Sequence, residues 1–587
     1  YDYDEAGRIR EKIMPHGSVT YTYDPSSGLP AAVTAPDGGL LTFSYDGSLA
    51  TGMSWSGSVA GTVTRQFNDD FRVIRRDVNT EAAITFAYDD DGLLTRAGEL
   101  QLSRNAVNGL VQSSALGAVT DDWIYNEFGE VVEYRAWFNS QEVYYLTLER
   151  DQRGRIVRRS ESIGAGAPTL TGYNYDPAGR LVEVTTDAAT SATYVYDGNS
   201  NRASVTRPSG SQSGTYDDHD RLSQYDGITY EYDAMGDLLS RTSGTEVTTY
   251  EHAVGGLRRV VLPDGTQVEY VVDALDRRTG RRLNGSLQSG YLYKDGLNPI
   301  AELDGSGQLV SRFVYGQRLT VPDYMTRGGS TYRIISNELG SPRLVIDVLD
   351  GSVAQQLDYD EYGRVTADTN PGFQPFGFAG GLYDSDTGLV QFGARDYDPE
   401  TGRWIRKDPD LFGSDATNLY LYALADPVNL IDPDGRKYEE GDFEKSNNGP
   451  PEAMEDATGT HERINETECF LFACWETGNF EEMGVMDDGL SYHRVCENGT
   501  CVETIYDPQT GLSGSVSVDI QCEGANCDDV QRRAQEAIND FEPPDPGPQP
   551  PSQPGQPPKA PNQPPGAPGG NDVEIPYEGH TNWKICK

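Results

Sequence analysis

The first 468 residues of this 587-residue chain contain no cysteine. Covalent cross-links can play no part there, so packing and hydrogen bonds must hold most of the molecule together. Basic residues are scarce as well: 47 Lys and Arg stand against 92 Asp and Glu, a formal net charge of −45. That balance excludes a bulk surface for nucleic acid, which needs an excess of Lys and Arg against phosphate. It suits solubility in an extracellular or salty setting instead. No run approaches the roughly 20 apolar residues that span a bilayer as a helix, so no transmembrane segment is expected here. An initiator Met and a signal peptide are also missing, and the sequence opens inside a repeat, YDYDEAGRI. The expectation is a piece of an exported protein whose signal lay upstream. Residues 1–468 lack a nucleophile motif, a phosphate loop and a metal-ligand cluster. No cofactor is expected.

What the chain has in abundance is Gly (65) and Tyr (35), with only 36% apolar residues overall. Tyr pairs an apolar ring with a polar tip and fits half-buried strand positions, and Gly supplies turns, so extensive β-structure is expected. A short unit recurs: YTYDPSSGL at 21, FSYDGSLA at 43, FAYDDDGLL at 86, IYNEFGEVV at 124, YNYDPAGRL at 173, YVYDGNSNR at 194, YEYDAMGDL at 230 and LDYDEYGRV at 357. Weaker copies stand at 67, 148 and 313, and the step is about twenty residues or a multiple of it. Each unit reads as strand, turn, strand. The aromatic-x-Tyr alternation sets two rings on one face of a strand. Asp then opens a turn through its side-chain acceptor, Gly or Asn supplies positive φ, and an aliphatic residue starts the return strand. One hairpin cannot bury its own aromatic face, so the units must stack in series as one long sheet.

These units resemble the YD (Rhs) repeat, over about residues 1–374. The resemblance implies a spiralling β-shell or barrel, as in teneurins and toxin-complex shells. From Pro375 the text changes to PFGFAGGLYDSDTGLVQFGARDYDPETGRWIRKDPDLFG and then NLYLYALADPVNLIDPDGR, ending at Arg436. This is similar to the Rhs repeat-associated core, which in that family plugs one end of the shell and precedes a variable C-terminal domain. In many members it also cuts the chain just after its second DPxG element with two aspartates, which match Asp408 and Asp432 here. Arg395 could position or neutralise charge beside them. Two carboxylates brought together share a proton, one serving as base toward water and the other as acid toward the amide. The resemblance thus implies a break near Arg436–Lys437. Two positions depart from the pattern: the first element reads DPDLFG, and Arg436 stands where cleaving members carry Leu. Read without the resemblance, both Asp-Pro pairs simply make turns.

Residues 437–542 lose the repeat. Six of the seven cysteines fall there in three pairs of one spacing, Cys469/Cys474, Cys496/Cys501 and Cys522/Cys527, with Cys586 left over. Such clustering reads as local disulfides of an exported protein. Zinc is the competing reading, although the tight CxxC knuckle is missing and the histidines show no ligand spacing. The stretch SYHRVCENGTCVETIY predicts a hairpin turning at Asn498-Gly499, GSVSVDIQC another strand, and DDVQRRAQEAINDF a helix capped by Asp528. A small α+β domain with disulfides is expected. A Pro-rich tether over 543–570 and a tail over 571–587 complete the chain. His461, His493 and His580 (the last near Glu578) are the titratable candidates for acid–base work in this part, and none stands in a recognisable motif.

Taken together these readings describe a mostly β, secreted or cell-surface shell protein that encloses and delivers its own C-terminal domain, a toxin where the family provides one. Expected partners are that domain as cargo, an immunity protein, the secretion machinery or surface glycans. The alternative is a surface adhesion or scaffold protein, without enzymatic activity, whose Tyr-rich strands bind carbohydrate.

Overall fold

The computed structural model describes residues 1–441 except 15, 16, 254, 319 and 415, and beyond them four strands between 480 and 517 by their backbone alone. The chain divides into two units, Tyr1–Thr460 and His461–Lys587. Among the described residues there is no α-helix, and no helix is long and apolar enough to cross a membrane.

In the first unit, 36 strands from Asp2–Tyr3 to Val365–Asp368 form one sheet. Each strand pairs antiparallel with the next in sequence, as in Ile156–Ile163 with Thr169–Tyr175 and then Leu181–Thr186. Burial alternates along the strands with period two, plainest in Val119–Tyr125, where Val119, Asp121 and Trp123 are buried and their neighbours exposed. The expected YD-repeat hairpin shell is the fold that forms.

Asp176 shows how a unit is built. Its carboxylate accepts the amides of Ala178 and Arg180, both at 3.0 Å, and the Arg180 Nε at 2.7 Å. Gly179 sits at φ +90°, where an L side chain is strained. Burial alone would raise the Asp176 carboxyl; the Arg180 guanidinium and the two amides outweigh it and hold it below its usual value. The same set of bonds recurs at Asp151, Asp217, Asp273 and Asp360.

Successive units are then tied by their tyrosines. The Tyr before the turn Asp donates its hydroxyl to the carbonyl at the start of the preceding unit's return strand. Tyr23 donates to Ile9 at 2.7 Å, Tyr88 to Val73 at 2.8 Å, Tyr196 to Leu181 at 2.7 Å and Tyr293 to Arg278 at 2.7 Å. The turn Arg of one unit lies over the Tyr ring of the next, at 4.2 Å for Arg8 on Tyr23 and 5.0 Å for Arg180 on Tyr196.

The sheet also turns back on itself. Met53, Trp55 and Val63 share a core with Leu292, Phe313 and Val345, while Leu116, Trp123 and Tyr134 share another with Val314, Ile335 and Leu344. Polar groups cross the same seam. Arg333 pairs with Asp121 at 2.6 Å and Asp323 at 3.3 Å, all nearly or fully buried, and Tyr134 donates to Asp121 at 3.1 Å.

In the second unit, strands Phe480–Val485, Ser491–Glu497, Thr500–Asp507 and Leu512–Ser517 form an antiparallel sheet. Ser491–Glu497 and Thr500–Asp507 pair antiparallel in a register that sets Cys496 opposite Cys501, while the expected turn at Asn498-Gly499 lies outside the described residues. Cys469, Cys474, Cys522, Cys527, Cys586, His461, His580 and the helix expected from Asp528 lie outside the described residues.

Because Arg333 is the cation of a fully buried Asp121, Arg333→Met should lower stability by about 3–5 kcal/mol. The double variant with Asp121→Asn should regain part of that loss, since the stranded charge is gone. Denaturant unfolding of the full chain reads both; equal losses in the single and double variants would contradict this account of the seam.

Candidate active site

After the last long strand the chain forms a smaller four-stranded sheet from Leu382–Tyr383, Val390–Phe392, Arg395–Asp398 and Arg403–Trp404. Its core is an aromatic cluster of Phe378, Phe392, Tyr397, Trp404 and Tyr422, with the Tyr397 and Tyr422 rings 4.4 Å apart. This segment is docked on the repeats by buried polar groups. Arg278 pairs with Asp396 at 2.7 Å, Arg281 with Asp384 at 2.9 Å, Tyr420 donates to the Gly236 carbonyl at 2.7 Å, and Tyr397 donates to the Tyr362 carbonyl at 2.8 Å.

The three residues that sequence reasoning singled out meet here. Arg395 Nη2 lies 3.1 Å from an Asp408 oxygen and 2.8 Å from an Asp432 oxygen, so both carboxylates converge on one nitrogen. All three side chains are buried. Arg395 also donates through Nε to the Gly435 carbonyl at 2.6 Å and lies over the Trp404 ring at 4.1 Å. Burial pulls its guanidinium down from the usual value, against the pull of Asp432 and Asp408. Burial, only partly opposed by Arg395, pushes the Asp432 carboxyl up to about 7. Near neutral pH Asp432 therefore exchanges between acid and base.

Two close backbone approaches fix the loop around Gly435. A Cβ on Gly435 would lie 2.3 Å from the Phe392 carbonyl, and one on Gly393 would lie 2.4 Å from the Asp434 carbonyl. Only glycine admits that contact. The loop is so held that the Arg436 amide donates to Asp432 at 2.9 Å while Arg395 grips the carbonyl of the same peptide. The peptide held from both sides is Gly435–Arg436, one bond upstream of the Arg436–Lys437 position expected from sequence.

Sequence reasoning missed Asp410, Asp434 and the Arg436 side chain. Asp434 accepts the Arg436 and Lys437 amides at 3.1 and 3.3 Å. The Arg436 guanidinium pairs with Asp410. The two departures from the family pattern thus meet in space: Arg436 in place of Leu is held by the first DPxG-like element. In that element Leu411 takes the glycine place at φ +54°, as Gly435 does in the second at +66°. The signal was the pair of departures, but nothing local said they would face each other.

Comparisons with known proteins accord with this architecture. The family model described as Teneurin YD-shell matches residues 1–428. Teneurin-4 of Mus musculus is 26% identical over 455 residues and Teneurin-1 of Gallus gallus 28% identical over 450. Each alignment covers 73% of this chain and 16% of the relative, so the chain spans about a sixth of the length of these curated relatives. A solved structure described as TcdB2-TccC3-Cdc42 aligns over 73% of this chain and 28% of that chain, at a TM-score of 0.50 and 15% identity, a likeness of fold.

The raised Asp432 fixes the sign of a pH effect. The folded state keeps a proton that the unfolded chain releases near 3.8, so this group's contribution to stability falls as pH rises from about 4 to 7. Asp432→Asn removes that dependence. Relative to wild type, the variant should gain about 3 kcal/mol between pH 5 and pH 8 in denaturant unfolding. An unchanged gap between the two proteins at both pH values would rule out a raised carboxyl at 432.

Proposed function

The chain belongs to the Teneurin YD-shell family, and from that premise we propose that it forms part of a secreted or cell-surface shell that carries its own residues 437–587 as cargo. The observation that carries the reading is the docking of 375–436 on the repeats, with Arg436 pinned between two DPxG-like elements. In this reading the anchored segment marks where shell ends and cargo begins. In this reading 437–542 is a separate disulfide-bearing domain. The register of Cys496 opposite Cys501 supports a bond between them.

The same geometry supports release of the cargo by self-cleavage. In the proposed step Asp408 takes a proton from a water, whose oxygen bonds to the Gly435 carbonyl carbon. Arg395 Nε–H holds the oxygen that becomes negative. Asp432 then gives its proton to the Arg436 nitrogen, the carbon–nitrogen bond breaks, and a carboxyl group and an amine are left.

The adhesion reading is less favoured, because the repeat tyrosines spend their hydroxyls on neighbouring carbonyls and bury much of their rings. Stacking on a glycan needs free ring faces.

The purified full chain should run as two bands on a denaturing gel, with an N-terminal fragment whose mass ends at Gly435. The Asp432→Asn and Asp408→Asn chains should stay whole. A fragment ending at Arg436 would move the break one bond on, and an intact wild-type chain would remove self-cleavage altogether. Growth arrest on expressing 437–587 in the bacterial cytosol or periplasm supports a toxic cargo; growth unaffected in both compartments favours the adhesion reading.

A further inference from the structure

Most buried arginines whose contacts hold this molecule together face a carboxylate: Arg277 faces Asp273, Arg278 Asp396, Arg333 Asp121 and Arg395 Asp432. Two do not. Arg202, on strand Arg202–Arg207, and Arg403, on strand Arg403–Trp404, are each 6% exposed. Among the described residues no carboxylate lies within ion-pair distance of either. They line one small cleft, with room for about one water molecule, where the repeats meet the docked segment.

Their contacts are those of cations set among neutral groups. Arg202 donates to the Tyr225 hydroxyl at 3.1 Å and to the backbone carbonyl of Glu400, not to its carboxylate. Its guanidinium lies 4.9 Å from the Tyr362 ring centre. Arg403 donates to the Asn201 side-chain oxygen at 3.3 Å and to the Asp220 carbonyl, and lies 4.7 Å from the Tyr216 ring centre. The Nε of each is buried with no acceptor. The acidic side chains close by are engaged elsewhere: Asp197 and Asp220 accept from Asn201, Glu400 from Gln212, and Asp398 from Thr401. In a chain of net charge −45, two buried positive groups have been left without the ion that burial demands.

We propose that this cleft is an anion site, and that its ligand is a single small inorganic anion of the halide class. Size favours a halide: the free space beside the two guanidinium groups is about that of one water molecule. Chemistry favours it too, since a spherical anion accepts guanidinium N–H from any direction, and the two Nε–H groups have no other acceptor. The anion joins one cation of the repeats to one cation of the docked segment and so couples the seating of that segment to its presence. This inference is independent of self-cleavage.

The test uses the full chain in sodium gluconate, with chloride replacing gluconate at constant ionic strength, so that screening of the large negative charge stays fixed. The thermal midpoint should rise with chloride and saturate. In Arg202→Met and Arg403→Met the apparent chloride affinity should fall at least tenfold. Chloride NMR linewidths of the wild-type protein give a second reading that needs no variant: a saturable broadening is expected, displaced by bromide. A midpoint indifferent to chloride in the wild type, a rise of equal size and affinity in the variants, or saturation by sulfate but not by chloride would each overturn the proposal.

Discussion

A two-stranded hairpin has one apolar face and no means of covering it, and each unit of this chain solves that problem with the unit before it. The tyrosine ahead of the turn lays its ring along the sheet and spends its hydroxyl on a carbonyl about fifteen residues earlier, as Tyr88 does on Val73 and Tyr196 on Leu181. The turn aspartate orders the arginine four residues on, and that arginine covers the next tyrosine, as in Asp176, Arg180 and Tyr196. Each such bond contributes only about 1 kcal/mol, so the sheet owes its stability to repetition rather than to any one contact. That is how the cysteine-free part of the chain dispenses with cross-links.

The docked segment follows a further rule. Residues 375–436 meet the repeats through rings and aliphatic side chains, as in Phe376 on Phe313, and in addition through ion pairs, buried in Arg278–Asp396 and partly buried in Arg281–Asp384. Buried ion pairs contribute little net stability but penalise every misplacement heavily. They suit a segment that must hold one peptide, Gly435–Arg436, against two acids and an arginine. The raised Asp432 carboxyl belongs to the same economy, a group kept protonated by burial beside the peptide it faces.

Local features were legible in the sequence. The turn Asp, the positive-φ Gly and the alternation of the strands are short-range, and the pairing of Ser491–Glu497 with Thr500–Asp507 could be read for the same reason. The tyrosine–carbonyl bonds were not legible, because they depend on the register between units. Nor was Arg333 with Asp121, partners more than two hundred residues apart. At the candidate site, Asp408, Asp432 and Arg395 were found through the motif they share with a family. The pairing of Arg436 with Asp410 and the grip of Arg395 on the Gly435 carbonyl needed the fold.

The account stands on the claim that no hairpin here is stable alone. Native-state hydrogen exchange, followed peptide by peptide across residues 1–441 in rising denaturant, measures this directly. If stability is shared between neighbours, amides of adjacent units will open together, at nearly one free energy and with one denaturant dependence. Adjacent units exchanging independently, at unrelated free energies, would contradict it.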